Sequence, residues 1–147
     1  MQNVHYNLMN RWAAALRSGD YVQTEGALYD TETDGYCCLG VLSDMCQMPW
    51  RVNEDAGVVM YSYPTSPDGD WMEDSELPSK YWFADMLGLS EEIADVWMGD
   101  LAARNDHGQS FSRIALEIER KAGEWSGRTS KPTYPRTVAA YTYPRTV

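Results

Sequence analysis

Apolar residues recur at three- and four-residue spacing at Val4, Leu8, Trp12, Ala15 and Leu16. That spacing lines one helical face and predicts an amphipathic helix over residues 4–18, with Gly19 as its C-cap. Tyr21-Val22-Gln23 is predicted to be extended. Residues 26–29 read as a short strand, ended by Asp30 and by the turn residues Thr33-Asp34-Gly35. The pattern then becomes almost continuously apolar. A second helix is predicted from Cys37 to Gln47, with Cys38, Leu42 and Met45 on one stripe and Pro49 closing it. Gly40 inside this helix costs roughly 1 kcal/mol relative to alanine, so its presence predicts the close approach of another backbone.

Residues 57–63 have strand composition, and Pro64 to Asp70 carry a strong turn signal. Leu77-Pro78 opens a short helix reaching Met86-Leu87, and Gly88 caps it. Ser90, followed by Glu91 and Glu92, is a good N-terminus for the next helix, which ends in the turn Asn105-Asp106-His107-Gly108. Ser110 caps the last helix, with Phe111, Ile114, Ala115 and Ile118 on its buried stripe. On its exposed side Glu117 and Lys121 are spaced to pair, and Gly123 is placed to end it. The fold class predicted is α+β, with four to five helices packed on a short antiparallel sheet. Residues 1–125 read as a single globular domain.

Residues 126–147 differ in kind. Thr133-Tyr134-Pro135-Arg136-Thr137-Val138 returns unchanged at 142–147, and each proline biases its neighbours toward extended backbone. This segment reads as an extended or disordered basic tail whose tyrosines and arginines are good interface anchors. It holds four Lys and Arg and no acid. Residues 1–125 hold eight against all 22 Asp and Glu, a net charge of 8 − 22 = −14. So acidic a body repels phosphate backbones, which speaks against direct nucleic-acid binding; it suits a basic protein partner or mimicry of nucleic acid, although the favoured reading of the charge is solubility alone. No apolar run approaches the length of a membrane span, and the first residues lack the features of a signal peptide. Three cysteines, two of them adjacent, do not suit a secreted disulfide framework. A cytoplasmic protein is expected.

No motif fixes a reaction. Cys37 and Cys38 stand at a predicted helix start, where the dipole can lower a thiol pKa. With His107 as base and Asp106 to orient it, they would form the core of a cysteine-dependent hydrolase or transferase. The competing reading, and the favoured one, makes both thiols packed core residues and His107 a surface loop residue. Cys46 lies about nine helical rises, or ~13 Å, from Cys37, so a disulfide within the set is not expected. Asp68, Asp70, Glu73, Asp74 and Glu76 are carboxylate-rich but lack calcium-loop spacing, and no Cys/His spacing suits zinc. No metal or cofactor is expected. What remains is a polar set that folding does not obviously require: Arg17, Tyr21, Gln23, Asp44, Asn105 and Asp106, of which Asn105 and Asp106 read first as turn residues that bond the local backbone. Arg17 and Asp44 are candidates to pair with each other. Alternatively the set faces one cavity and forms a small polar pocket walled by aromatics.

Trp12-x-x-Ala15-Leu16-Arg17-Ser18-Gly19-x-Tyr21-x-Gln23, the run Tyr36-Cys37-Cys38-Leu39-Gly40-Val41-Leu42-x-Asp44, and Asn105-Asp106-x-Gly108-x-Ser110-Phe111-x-x-Ile114-Ala115 together carry a resemblance. The chain resembles an uncharacterised family of small proteins of tailed phages and prophages over about residues 10–120, with the duplicated tail outside it. That family usually has a small residue at the position of His107, which counts against a Cys–His dyad. The resemblance implies a phage setting and no settled activity; by analogy with small cytoplasmic phage proteins that lack catalytic motifs, a phage-encoded accessory protein that acts by binding a host protein or a small molecule is expected, with counter-defence as a natural role. The alternatives are the cysteine enzyme and an acidic nucleic-acid mimic that binds a basic host protein.

Overall fold

A computed structural model describes residues 4–47, 50–53, 58–64, 71–75 and 80–127; of 50–53, 58–64 and 71–75 only the backbone path is described. The predicted turn at 64–70, the helix opening at Leu77-Pro78 and the duplicated segment lie mostly or wholly outside these residues. The fold is α+β. Five helices, α1 (Tyr6–Arg17), α2 (Cys38–Met45), α3 (Lys80–Leu87), α4 (Glu91–Asp106) and α5 (Phe111–Ser126), accompany one small sheet. Its strands are β1 (Val22–Gln23), β2 (Tyr29–Asp30), β3 (Gly35–Tyr36), β4 (Trp50–Asn53), β5 (Val58–Pro64) and β6 (Trp71–Ser75). They run in the order β1-β3-β2-β5-β4, with β6 also on β5.

The sheet is mixed rather than purely antiparallel, because β1 pairs parallel with β3 while the other pairings are antiparallel. The strand expected at 26–29 lies further along, at Tyr29–Asp30. Gly26 has φ +78 and leaves the β region, and the Leu28 carbonyl is turned away to accept from Cys37 N–H at 3.3 Å.

α2 is apolar on every side, and so is enclosed on every side. Cys38, Leu39, Val41 and Leu42 are fully buried, and only Asp44 of the helix reaches the surface in part. Trp12 of α1 packs edge-on against Phe83 (6.1 Å) and Trp97 (5.9 Å), and its indole N–H donates to the Cys38 carbonyl at 2.8 Å. Leu8, Leu16, Leu101, Ile114 and Ile118 close the same core from α1, α4 and α5. The start of α1 is tied to the end of α3, where His5 N–H donates to Leu87 O (2.8 Å) and His5 Nδ1–H to Met86 O (2.5 Å).

Two expectations for α5 are corrected. Gly123 lies inside the helix, which runs three residues further because Ala122 and Trp125 continue its packed stripe; Gly127, at φ +72, is the C-cap. Glu117 pairs with Arg120 at 2.8 Å rather than with Lys121, which lies 3.9 Å from Glu124. A guanidinium three positions on reaches the Glu117 carboxylate through more than one N–H, which an ammonium cannot match.

Candidate functional site

Cys37 is the N-cap of α2. Its backbone is extended and its sulfur accepts from Gly40 N–H at 3.4 Å. This is the helix-start position that can activate a thiol, but burial wins: the Cys37 thiol is pushed up to about 11 by loss of solvent, against the weaker lowering by Gly40 and Leu39 N–H. Cys38, also fully buried, is pushed up for the same reason and donates weakly to Leu101 O at 3.6 Å. His107 is an exposed C-cap residue of α4, and among the described residues no hydrogen bond joins it to either thiol. The two cysteines therefore belong to the core. Iodoacetamide at pH 8 is expected to leave all three thiols of the folded protein unmodified and to label all three in urea. Labelling of one thiol in the folded chain would restore the nucleophile reading. Cys37 and Cys38 hold their protons more tightly in the folded chain than in the unfolded one. The contribution of Cys37 to stability is thus fully present below the ordinary thiol pKa of 9.0 and is lost as pH rises through about 11.

The six polar residues do not share one pocket. They divide into three groups. Arg17 pairs with Glu119 of α5 at 2.5 Å rather than with Asp44; α1 lies along α5, which brings that carboxylate to the end of α1. Gln23, Asn105 and Asp106 form the second group. Asn105 is fully buried. Its Oδ1 accepts from Gln23 Nε2–H (3.0 Å) and Cys38 N–H (3.2 Å), and its Nδ2 donates to Thr24 O (2.7 Å) and Asp106 Oδ1 (3.4 Å). Both oxygen lone pairs and both amide hydrogens are used within the protein. Gln23 is likewise committed, donating to Gln109 O at 2.7 Å and accepting from Phe111 N–H at 3.1 Å. Asp106 Oδ1 accepts from Gly26 N–H at 2.9 Å. The group clamps β1, the starts of α2 and α5, and the end of α4, and its amides have no donor left for a ligand.

Tyr21 and Asp44 form the third group, and it opens onto the surface. The Tyr21 hydroxyl donates to Asp44 Oδ2 at 2.7 Å. Tyr36 packs edge-on against Tyr21 (5.0 Å, 90°) and tilted against Tyr29 (4.7 Å, 57°), and the Tyr29 hydroxyl donates to Asp34 Oδ1. The register of β2 and β3, with Tyr29 opposite Tyr36, sets this cluster. All three phenols are held above their ordinary pKa. Burial is the first cause for Tyr21 and for Tyr36, which rises to about 12; for Tyr29 it is the bond to Asp34; nearby carboxylates add to each. Residues 18–36 contain Asp20, Glu25, Asp30, Glu32 and Asp34 and no Lys or Arg. Among the described residues, neither these five nor Asp44 has an ion-pair partner. The face is aromatic and strongly electronegative.

Residues 4–122 match the family described as a domain of unknown function (DUF8296). The chain belongs to this family. No curated protein and no solved structure matches it. The matched span takes in the thiols, the amide clamp and the tyrosine face of this DUF8296 domain, and leaves the duplicated segment outside.

Sequence reasoning passed over Tyr29, Tyr36, Asp34 and the clamp member Gln109. The visible signal was the alternation Asp30-Thr31-Glu32-Thr33-Asp34, an acidic hairpin turn between tyrosines that pair only once the chain folds. Among the described residues no three His, Cys, Asp or Glu side chains are placed to hold a metal ion, and no helix is long and apolar enough to cross a membrane.

Proposed function

We propose that this domain acts by binding, and that its tyrosine–carboxylate face receives a basic segment of a partner protein. The observation that carries the reading is the packed trio Tyr21, Tyr29 and Tyr36 set among carboxylates that no cation in the described structure neutralises. A Lys or Arg side chain over a phenol ring is attracted by the ring quadrupole and by the adjacent Asp34 and Asp44 together. The resemblance to small phage proteins supports reading it as a phage accessory protein of the host cytoplasm, directed at a host component, with counter-defence as its proposed role. A small-molecule ligand near Arg17, Gln23 and Asp44 has less support, because the three do not converge: Arg17 pairs with Glu119, Gln23 bonds to Asn105 and Asp44 to Tyr21. The cysteine enzyme has less support still, given two buried, protonated thiols.

The test is titration with an arginine-rich peptide and with an acidic peptide of the same length. Only the first is expected to bind, and more weakly as salt rises. Tyr29→Ala is expected to weaken binding about two- to five-fold, the equivalent of about 0.5–1 kcal/mol for an exposed cation–π contact. Binding that survives both Tyr29→Ala and Asp34→Asn unchanged would sink this reading. A nucleic-acid mimic would show the salt dependence without the tyrosine dependence.

A further inference from the structure

A second surface lies away from the tyrosine face, in the groove between α4 and α5. Its floor is apolar and aromatic: Ile93, Val96 and Trp97 on α4 and Trp125 on α5. Val96 is 76% exposed, one of the few large hydrophobic side chains left at the surface among the described residues. The Trp97 and Trp125 rings meet edge-on at 4.9 Å. The buried Trp97 Nε1–H has no hydrogen-bond partner among the described residues. The groove's cations are already spent. Arg104 is held by Asp100 (2.8 Å), Arg120 by Glu117 and Glu124 (2.8 and 3.0 Å), and Lys121 lies over the Trp125 ring (5.2 Å). Glu92, at the end of the groove nearest the start of α4, has no ion-pair partner among the described residues.

We propose that this groove is the docking site of the chain's own residues 128–147, which lay one Tyr-Pro-Arg unit along it. Three observations select this occupant. The chain leaves α5 at Gly127, two residues after Trp125, so the segment starts beside the groove; there a left-handed C-cap turns the backbone away from the helix axis. Its chemistry matches: tyrosine and proline in extended backbone are what aromatic-lined grooves receive, and its four cations with no acid suit the unneutralised Glu92. The length suffices. Tyr134 lies seven residues beyond Gly127, a reach of up to about 23–25 Å at ~3.3–3.6 Å per residue. The groove from Trp125 back to Glu117 spans eight helical rises, about 12 Å. The second unit, at Tyr143-Pro144-Arg145, reaches the same place, so either copy can fill the groove.

The experiment is the 1H–15N spectrum of the full chain, read at the Trp97 and Trp125 indole signals and at the backbone amides of residues 92–104. Replacing both units (Y134S/P135S/R136S with Y143S/P144S/R145S) is expected to shift these signals, and replacing either unit alone to leave most of them in place. A free peptide of residues 133–138 should restore the original positions in the doubly replaced chain. In the unmodified chain it should compete only toward the millimolar range, because a tethered segment is present at about that effective concentration. Unchanged indole signals in the doubly replaced chain would overturn the proposal. So would shifts confined to residues 20–44, or shifts that vanish on dilution, which would seat the segment on a second copy.

Discussion

Gly40→Ala is expected to cost at least about 4 kcal/mol and to leave little folded protein, a loss in the range reserved for severe core lesions. A Cβ at this position would stand 1.9 Å from the Leu28 carbonyl oxygen and 2.8 Å from its carbon. The obstacle is backbone, so no side-chain rotation relieves it. Moving residue 28 away breaks the 3.3 Å bond from Cys37 N–H to the same oxygen and withdraws the fully buried Leu28 side chain from the core. Alanine's better helix propensity, about 1 kcal/mol, runs the other way and is too small to compensate. Gly99→Ala is the matched control. It lies mid-helix in α4 with nothing within 4 Å of the added carbon, so the same substitution is expected to stabilise by up to about 1 kcal/mol. Urea denaturation of the two variants reads both effects. Equal midpoints would show that the approach of the Leu28 backbone to Gly40 is not what holds α2 in place.

That close approach was legible in the chain. A glycine inside an apolar helix has no local reason to be there, so its cost pointed to a neighbour, and the neighbour is Leu28. The caps Ser90 and Ser110 were legible too, because each needs only its own side chain and the N–H three residues on: Ile93 at 3.3 Å and Arg113 at 3.3 Å. The strands were legible where composition spoke, along β5 and in the extended stretch that holds β1, but their pairing was not. β3 and β1 are two residues each and exist by pairing with one another and with β2; no local pattern encodes a partner that arrives from elsewhere in the chain. The candidate site divided along the same line. Sequence order singled out Gln23 as a polar residue without an obvious local task, and offered Asn105 and Asp106 only a local one, in a turn. Their partners lie about 80 positions apart, at Thr24, Gly26 and Phe111, so their task is tertiary and invisible before folding. The cysteines carried a real local signal, a helix start, that burial overrides.

Asn105→Ala is expected to destabilise by about 3 kcal/mol or more while leaving binding at the tyrosine face intact in the fraction that folds. The substitution removes four hydrogen bonds at once and strands two donors, Cys38 N–H and a Gln23 amide hydrogen, together with the Thr24 carbonyl. Each buried polar group left unpaired costs about 1–3 kcal/mol. Cys38 is the first residue of α2, so the lesion also loosens the start of the helix on which the Trp12 indole rests. A double-mutant cycle with Gln23→Ala isolates the clamp itself. The two amides share the 3.0 Å bond, so the double variant should be less destabilised than the sum of the singles, by about 0.5–3 kcal/mol. Additive losses would mean that the amides act separately on their backbone partners. The comparison also bears on function. A clamp that is purely structural changes the folded fraction in proportion to stability and leaves the affinity of folded molecules for the arginine-rich peptide unchanged. An affinity that fell in Asn105→Ala, with the folded fraction corrected for, would instead assign the clamp to the binding surface and extend that surface from Tyr21 through β1 to the end of α4.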